Sequence, residues 1–142
     1  MKKNMLKEKL QQKQAVFGTW IMTNSLDNAE ILSHTGADFI MIDAEHGSMD
    51  LETAGRMVSV IRGTQATPLI RVSGNEMSQI KRGFDTGADG VMIPMNSIPA
   101  VTPVLTAAGR KCRRFRNTGQ VIWWPVLRGR KQINGEAESS GD

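Results

Sequence analysis

The stretch that decides the fold is Asp38-Phe39-Ile40-Met41-Ile42-Asp43, in which four apolar residues lie between two aspartates. An unbroken apolar run of this length is typical of a strand that is buried on both faces, as in a parallel sheet. Similar runs follow at residues 68–72 and 90–95, and residues 15–22 are also rich in β-branched, aromatic and apolar side chains. The sequence therefore predicts four strands that share one parallel sheet.

Segments with apolar residues at helical spacing separate these strands, and another such segment precedes them at residues 4–13. The polar residues that we expect to begin the later helices are Asp27, Asp50 and either Ser73 or Asn75, and the glycines placed to end two of them are Gly36 and Gly87. Strands that alternate with helices indicate repeated βαβ units. Right-handed crossovers then bring the carboxyl ends of all the strands to one edge of the sheet, where chemistry gathers in such folds.

The distribution of charge argues against a nucleic-acid partner. The formal net charge is +4, but no acidic residue occurs between Asp89 and Glu136, where arginines and lysines gather, so the basicity belongs to the tail.

Cys112 is the single cysteine, which rules out an intrachain disulfide and favours a reducing compartment. The N-terminus lacks the apolar core of a signal peptide, and no segment approaches the roughly 20 apolar residues of a membrane span. We therefore expect a cytoplasmic protein without a membrane partner.

Two polar residues stand out at the predicted carboxyl edge. His46 follows the buried strand directly, where it can either cap a loop or transfer a proton near neutral pH. Arg71 lies in an apolar strand, and a buried guanidinium requires a carboxylate, either from a protein side chain or from an anionic oxo acid. His34 lies on a predicted helix and is expected to be structural. Asp85 precedes a glycine-containing turn, where most aspartates are exposed or cap a loop.

Several motifs in this order resemble the opening of HpcH/HpaI aldolases. They are Phe17-Gly18-Thr19-Trp20, Gly36-Ala37-Asp38-Phe39, Asp43-Ala44-Glu45-His46, Pro68-Leu69-Ile70-Arg71-Val72, Asp85-Thr86-Gly87-Ala88 and Gly90-Val91-Met92-Ile93-Pro94-Met95. Each motif alone is weak, but their combined order and spacing are specific. The resemblance implies an α/β fold that is the N-terminal half of a (β/α)8 TIM barrel, with about four β/α units. The 142 residues are too few for a complete barrel, which usually needs about 250, so the barrel is expected to be truncated.

The helical spacing near the N-terminus, the extent of the resemblance and the loss of periodicity after it together predict the domain limits. They are an N-terminal helix over 1–14, a partial barrel over 15–110 and an irregular basic and then polar tail over 111–142, in which residues 121–124 form at most a lone strand.

The family resemblance implies reversible aldol cleavage to pyruvate or a related 2-oxo acid and an aldehyde, through a metal-stabilised enolate. By resemblance, His46 is the acid/base histidine and Asp85 the aspartate that assists it. Arg71 binds the oxo acid and stabilises the enolate. Trp20 is similar to a tryptophan that lines the pocket, and Asp43 to an acid near metal-bound water.

The resemblance stops before the family's two metal-ligating carboxylates. A divalent metal, Mg²⁺ or Mn²⁺, is therefore expected from the family, but its ligands are not identifiable in this chain. The tail acids Glu136, Glu138 and Asp142 lack strand context and are poor candidates for a rigid oxygen-ligand site. The tail is also a candidate for out-of-frame sequence. We consequently expect little or no aldolase activity, and we leave it open whether the chain is an enzyme.

Two alternatives to an aldolase remain. The first is an inactive fragment that associates with itself or with a full-length homologue, since half a barrel leaves strand edges unpaired, and a homo-oligomer is expected if the chain folds. The second is a small basic module for nucleic acid, which we rank last because the arginine-rich segment has no recognised fold and its tryptophans are not interleaved with basic residues.

Overall fold

The computed structural model describes residues 4–94 and, as backbone only, the strands at residues 112–117 and 120–125. The elements in chain order are α1 (Met5–Gln11), β1 (Gly18–Ile21), α2 (Leu26–Ser33), β2 (Phe39–Asp43), α3 (Leu51–Arg62), β3 (Thr67–Arg71), α4 (Met77–Asp85), β4 (Gly90–Ile93), β5 (Cys112–Asn117) and β6 (Gln120–Pro125).

The first four strands form the parallel sheet that the sequence predicts. Their order is β1-β2-β3-β4, each strand pairs in parallel with the next, and one helix connects each pair. The α/β fold with repeated β/α units is therefore confirmed. Because the strands run in the same direction, the ends of β2 and β3 meet at one edge, with Asp43 in register with Arg71.

The tail differs from the irregular structure that we predicted for residues 111–142. Residues 112–117 and 120–125 are strands; β6 pairs antiparallel with β4, and β5 pairs antiparallel with β6. Segment 121–124, expected as a lone strand, is thus hydrogen-bonded on both sides. The physical reason is that β4 would otherwise expose a row of unpaired backbone groups at its edge. The rest of the tail and the predicted domain limit at 110 lie outside the described residues.

The N-termini of α2, α3 and α4 test the residues that we predicted as helix caps. Asp50 begins α3 as predicted, and its side chain accepts a hydrogen bond from the Thr53 N–H at 2.7 Å. The predictions for α2 and α4 are wrong, because Ser25 rather than Asp27 caps α2 and Glu76 precedes α4 without a side-chain cap bond. Ser25 and Glu76 have the extended backbone that an N-cap requires, whereas Asp27 already lies inside the helix.

The two faces of the sheet bury different cores. Helices α2, α3 and α4 cover one face, where Ile40, Ile42 and Ile70 belong to the larger cluster of buried residues. On the other face, Leu6 of α1 packs with Met41, Leu69 and Met92, and it is only 2% exposed. Side chains alternate along a strand, so Asp43 and Arg71 share the α1 face of the sheet with Met41 and Leu69. The polar pair therefore lies at the carboxyl edge of an otherwise apolar face.

Candidate active site

The centre of the site is a buried ion pair between the last residues of β2 and β3. Asp43 is 0% exposed, and its Oδ1 accepts a hydrogen bond from Arg71 Nε at 2.9 Å. Arg71 Nη2 donates to the second oxygen, Oδ2, so the guanidinium binds the carboxylate in two-point fashion. The sequence left open whether Arg71 pairs with a protein acid or a ligand, and the structure shows that a protein acid holds one side of it.

Asp43 also organises the loop that carries the histidine. Its Oδ1 accepts the backbone N–H of Glu45 at 2.9 Å and that of His46 at 3.2 Å. Burial by itself raises the pKa of Asp43, but the hydrogen bonds from Arg71 and from these two N–H groups outweigh burial and hold the pKa below its usual value. The hydrogen bond to Asp43 raises the pKa of Arg71, against an opposing effect of burial. Both side chains are consequently charged at neutral pH.

Glu45 brings a second carboxylate to the same guanidinium. Its Oε2 lies 3.0 Å from Arg71 Nε and 3.7 Å from His46 Nε2. The Glu45 side chain is 17% exposed, whereas that of His46 is 61% exposed and reaches the solvent. The sequence analysis gave Glu45 no role. Its position between the end of a buried strand and His46 could have indicated that it belongs to the site.

Trp20 of β1 completes the group from the neighbouring strand. The Arg71 guanidinium carbon lies 4.6 Å from the centroid of the Trp20 ring, a distance at which a cation–π contact is favourable. Trp20 is also 40% exposed, so part of its ring is available to a ligand. The structure thus brings together four of the five predicted site residues, namely Trp20, Asp43, His46 and Arg71.

Asp85, the fifth predicted residue, lies elsewhere. It is the last residue of α4, which runs back toward the edge where the strands begin. Four residues later, the Asp89 N–H donates to the Pro68 carbonyl near the start of β3, at 2.9 Å. Asp85 therefore lies at the opposite edge from His46 in this chain, and its catalytic role stays a prediction.

The described residues do not fit a divalent metal on their own. No group of three or more His, Cys, Asp and Glu side chains among residues 4–94 has the geometry of a metal site. Both oxygens of Asp43 already accept hydrogen bonds from Arg71, which leaves that carboxylate poorly suited to bind a cation. The same part of the chain contains no helix long and apolar enough to cross a membrane.

Parallel β/α units with polar side chains gathered at the carboxyl edge are the arrangement found in TIM-barrel enzymes, whose active sites lie at that edge. The sequence profile of the HpcH/HpaI aldolase/citrate lyase family matches residues 16–121. The chain belongs to this family.

Individual relatives agree with this assignment. The chain is 34% identical to 2-dehydro-3,6-dideoxy-6-sulfogluconate aldolase of Pseudomonas putida over 85 residues. The matched stretch covers 60% of this chain and 33% of that enzyme. It is 32% identical to hydroxypyruvate/pyruvate aldolase of Roseobacter denitrificans over 92 residues, 65% of this chain and 36% of the relative. The chain thus spans about a third of the length of these curated relatives.

A solved structure shows the same fold. An HpcH/HpaI aldolase/citrate lyase family protein from Burkholderia cenocepacia superimposes with a TM-score of 0.68 at 28% identity, and the match covers 77% of this chain and 44% of the other. The two curated relatives named above are aldolases, which supports a lyase of this general class.

Proposed function

We propose that this chain carries the oxo-acid-binding and proton-transfer part of a carbon–carbon lyase site. The reaction is reversible aldol cleavage of a 4-hydroxy-2-oxo acid to pyruvate, or a related 2-oxo acid, and an aldehyde. The observation that carries the proposal is the arrangement of Arg71, held between Asp43 and Trp20, beside the solvent-exposed His46.

Arg71 supplies the binding site for the oxo acid. Asp43 engages Nε and Nη2, so Nη1 is the nitrogen that we assign to the carboxylate or keto oxygen of the substrate. Because Asp43 fixes the guanidinium in advance, little side-chain freedom is lost when the ligand binds. The partly exposed ring of Trp20 then forms a wall for the apolar part of the 2-oxo acid.

His46 transfers the protons. In the cleavage direction, neutral His46 takes the proton of the C4 hydroxyl, the C3–C4 bond breaks, and the C4 oxygen becomes the aldehyde carbonyl. The electron pair of the broken bond forms the enolate of pyruvate, whose oxygen the positive charge of Arg71 stabilises. The proton on His46 then returns to C3, which yields pyruvate and restores the neutral ring. These steps assign no proton to Asp85, which ends α4 in this chain, and its assisting role stays a prediction.

The family resemblance implies that a divalent metal assists such an enolate, but the described residues do not hold one, and no step above depends on it. We therefore expect proton exchange at the methyl group of pyruvate to be slow, and aldol cleavage to be slower still.

Exchange of the pyruvate methyl protons in D₂O, followed by NMR, tests the proposal without an aldehyde. We expect His46→Gln to lower the exchange rate at least tenfold, since general acid–base groups contribute roughly 100-fold or more. His34→Gln is the matched control, because His34 lies at the end of α2, away from the site, and should leave the rate unchanged. Exchange that is absent in the natural chain, or equal in both variants, would contradict the proposed function.

A further inference from the structure

Glu45 contacts Arg71 and His46, to which the proposed function gives the binding and the proton-transfer roles. One oxygen, Oε2, lies 3.0 Å from Arg71 Nε and 3.7 Å from His46 Nε2. We propose that Glu45 is a positioning residue, which holds the His46 ring beside the Arg71 guanidinium; this inference rests on the proposed function.

The backbone of the loop does not by itself orient the ring. Asp43 fixes the N–H groups of Glu45 and His46, and so sets where the His46 Cα lies. The imidazole can still turn about its side-chain torsions, and its 61% exposure shows that little packing restrains it. The carboxylate of Glu45 lies 3.7 Å from Nε2 of the ring, so it is the group that we expect to select the ring position.

Glu45 is not needed to neutralise Arg71. Asp43, which is fully buried, already pairs with the guanidinium through two hydrogen bonds. With Glu45 added, two negative charges surround one positive charge while the His46 ring is neutral. When the ring takes up a proton during the reaction, the charges of the four groups balance, and the contact between Glu45 and His46 tightens at that step. A second carboxylate at this place is therefore better explained by the proton-transfer step than by folding.

Glu45→Gln tests the positioning role, and NMR of the histidine rings provides the first measurement. The chain contains two histidines, so His34 serves as an internal reference in the same spectrum. We expect the ring signals of His46 to move in Glu45→Gln while those of His34 stay in place. Glu52→Gln is the matched control, since Glu52 is 77% exposed and pairs with Arg56 on α3; it should move neither set of signals.

Pyruvate methyl exchange provides the second measurement. We expect Glu45→Gln to lower kcat on the order of tenfold and to leave KM within about twofold, because a misplaced base slows the proton transfer and not the binding to Arg71. Glu45→Asp keeps the charge but withdraws the oxygen by one methylene group, so it should show the same loss. Full activity of Glu45→Asp would show that charge alone matters and would overturn the positioning role.

The two proposals fail in different ways. If the natural chain exchanges no pyruvate protons, the proposed function fails, but the His46 ring signals still decide the role of Glu45. Unchanged His46 signals in Glu45→Gln would overturn the positioning role whatever the exchange rate. Loss of the folded state in that variant, measured by circular dichroism, would show that Glu45 is structural and would also overturn it.

Discussion

At the scale of single residues, Asp43 links the fold to the site. The same buried carboxylate ends β2, pairs with Arg71 of β3 and fixes the two N–H groups of the following loop. The sequence indicated that Arg71 needs a carboxylate, but it did not show which one. The choice depends on the register of β2 against β3, and register follows from the packing of whole strands, which local sequence patterns do not specify.

We predict that Asp43→Asn lowers the free energy of unfolding by about 3 kcal/mol, because it leaves the guanidinium of Arg71 buried without its main counter-charge. Urea denaturation followed by circular dichroism measures the change. Asp89→Asn is the matched control, since Asp89 forms an exposed pair with Arg62 that contributes at most about 1 kcal/mol. Equal losses in the two variants would show that burial of the Asp43–Arg71 pair has no special weight.

The lowered pKa of Asp43 predicts a pH dependence. Burial raises this pKa, but the hydrogen bonds from Arg71 and the loop N–H groups lower it by more than burial raises it. The folded state therefore binds a proton at Asp43 less readily than the unfolded chain does. The stabilisation is therefore present above the ordinary carboxyl pKa and is lost as the pH falls below about 4. Urea midpoints between pH 2 and 6 should fall less steeply for Asp43→Asn than for the natural chain. Parallel curves would contradict this account.

At the scale of elements, the sequence identified the helices and strands better than their ends. The apolar period located α3 and its cap Asp50 correctly, because an aspartate there directly precedes the helical pattern. The start of α4 was missed, since Ser73 and Asn75 have suitable side chains but the backbone enters the helix only at Glu76. Cap residues therefore limit the possible helix starts, and the path of the preceding loop selects among them.

The packing of α4 against Val72, the residue that follows β3, depends on a glycine. A Cβ atom at Gly83 would lie 2.5 Å from Cγ1 of Val72, which is fully buried. We predict that Gly83→Ala lowers the free energy of unfolding by about 1–2 kcal/mol, since overpacking outweighs the gain in helix propensity. Thermal unfolding measures the effect.

Gly55→Ala in α3 is the control for this prediction. A Cβ atom there meets Thr86 at an ordinary 3.9 Å, so the substitution should stabilise the helix by roughly 0.5–1 kcal/mol. Val72→Ala should also be less harmful in the Gly83→Ala background than alone, because the methyl group added at position 83 fills part of the space that Val72→Ala vacates. Additive effects would mean that the two side chains do not compete for the same space.

At the scale of the whole molecule, the parallel half of the sheet followed from the sequence and the antiparallel part did not. Four apolar runs with helices between them are a local pattern that repeats, which is why β1 to β4 were predicted. The arginine-rich β5 has no such pattern, and β6 was seen only as an isolated apolar run. The pairing of β6 with β4 is a contact distant in sequence, and it depends on the open edge that β4 presents.

Metal binding is the property for which family and structure make opposite predictions. The family resemblance implies Mg²⁺ or Mn²⁺, yet residues 4–94 contain no group of ligands with the geometry of a metal site, and Arg71 occupies both oxygens of Asp43. We predict that 1 mM Mn²⁺ leaves the thermal midpoint of the chain unchanged, because the described residues offer no group of metal ligands. The measurement is sensitive, since a ligand present at about 100 times its Kd would add roughly 2.7 kcal/mol of stability. Calorimetric titration with Mn²⁺ in the presence of pyruvate provides a direct check. A midpoint that rises with Mn²⁺ in the natural chain would contradict the prediction and would show that carboxylates outside the described residues complete a site.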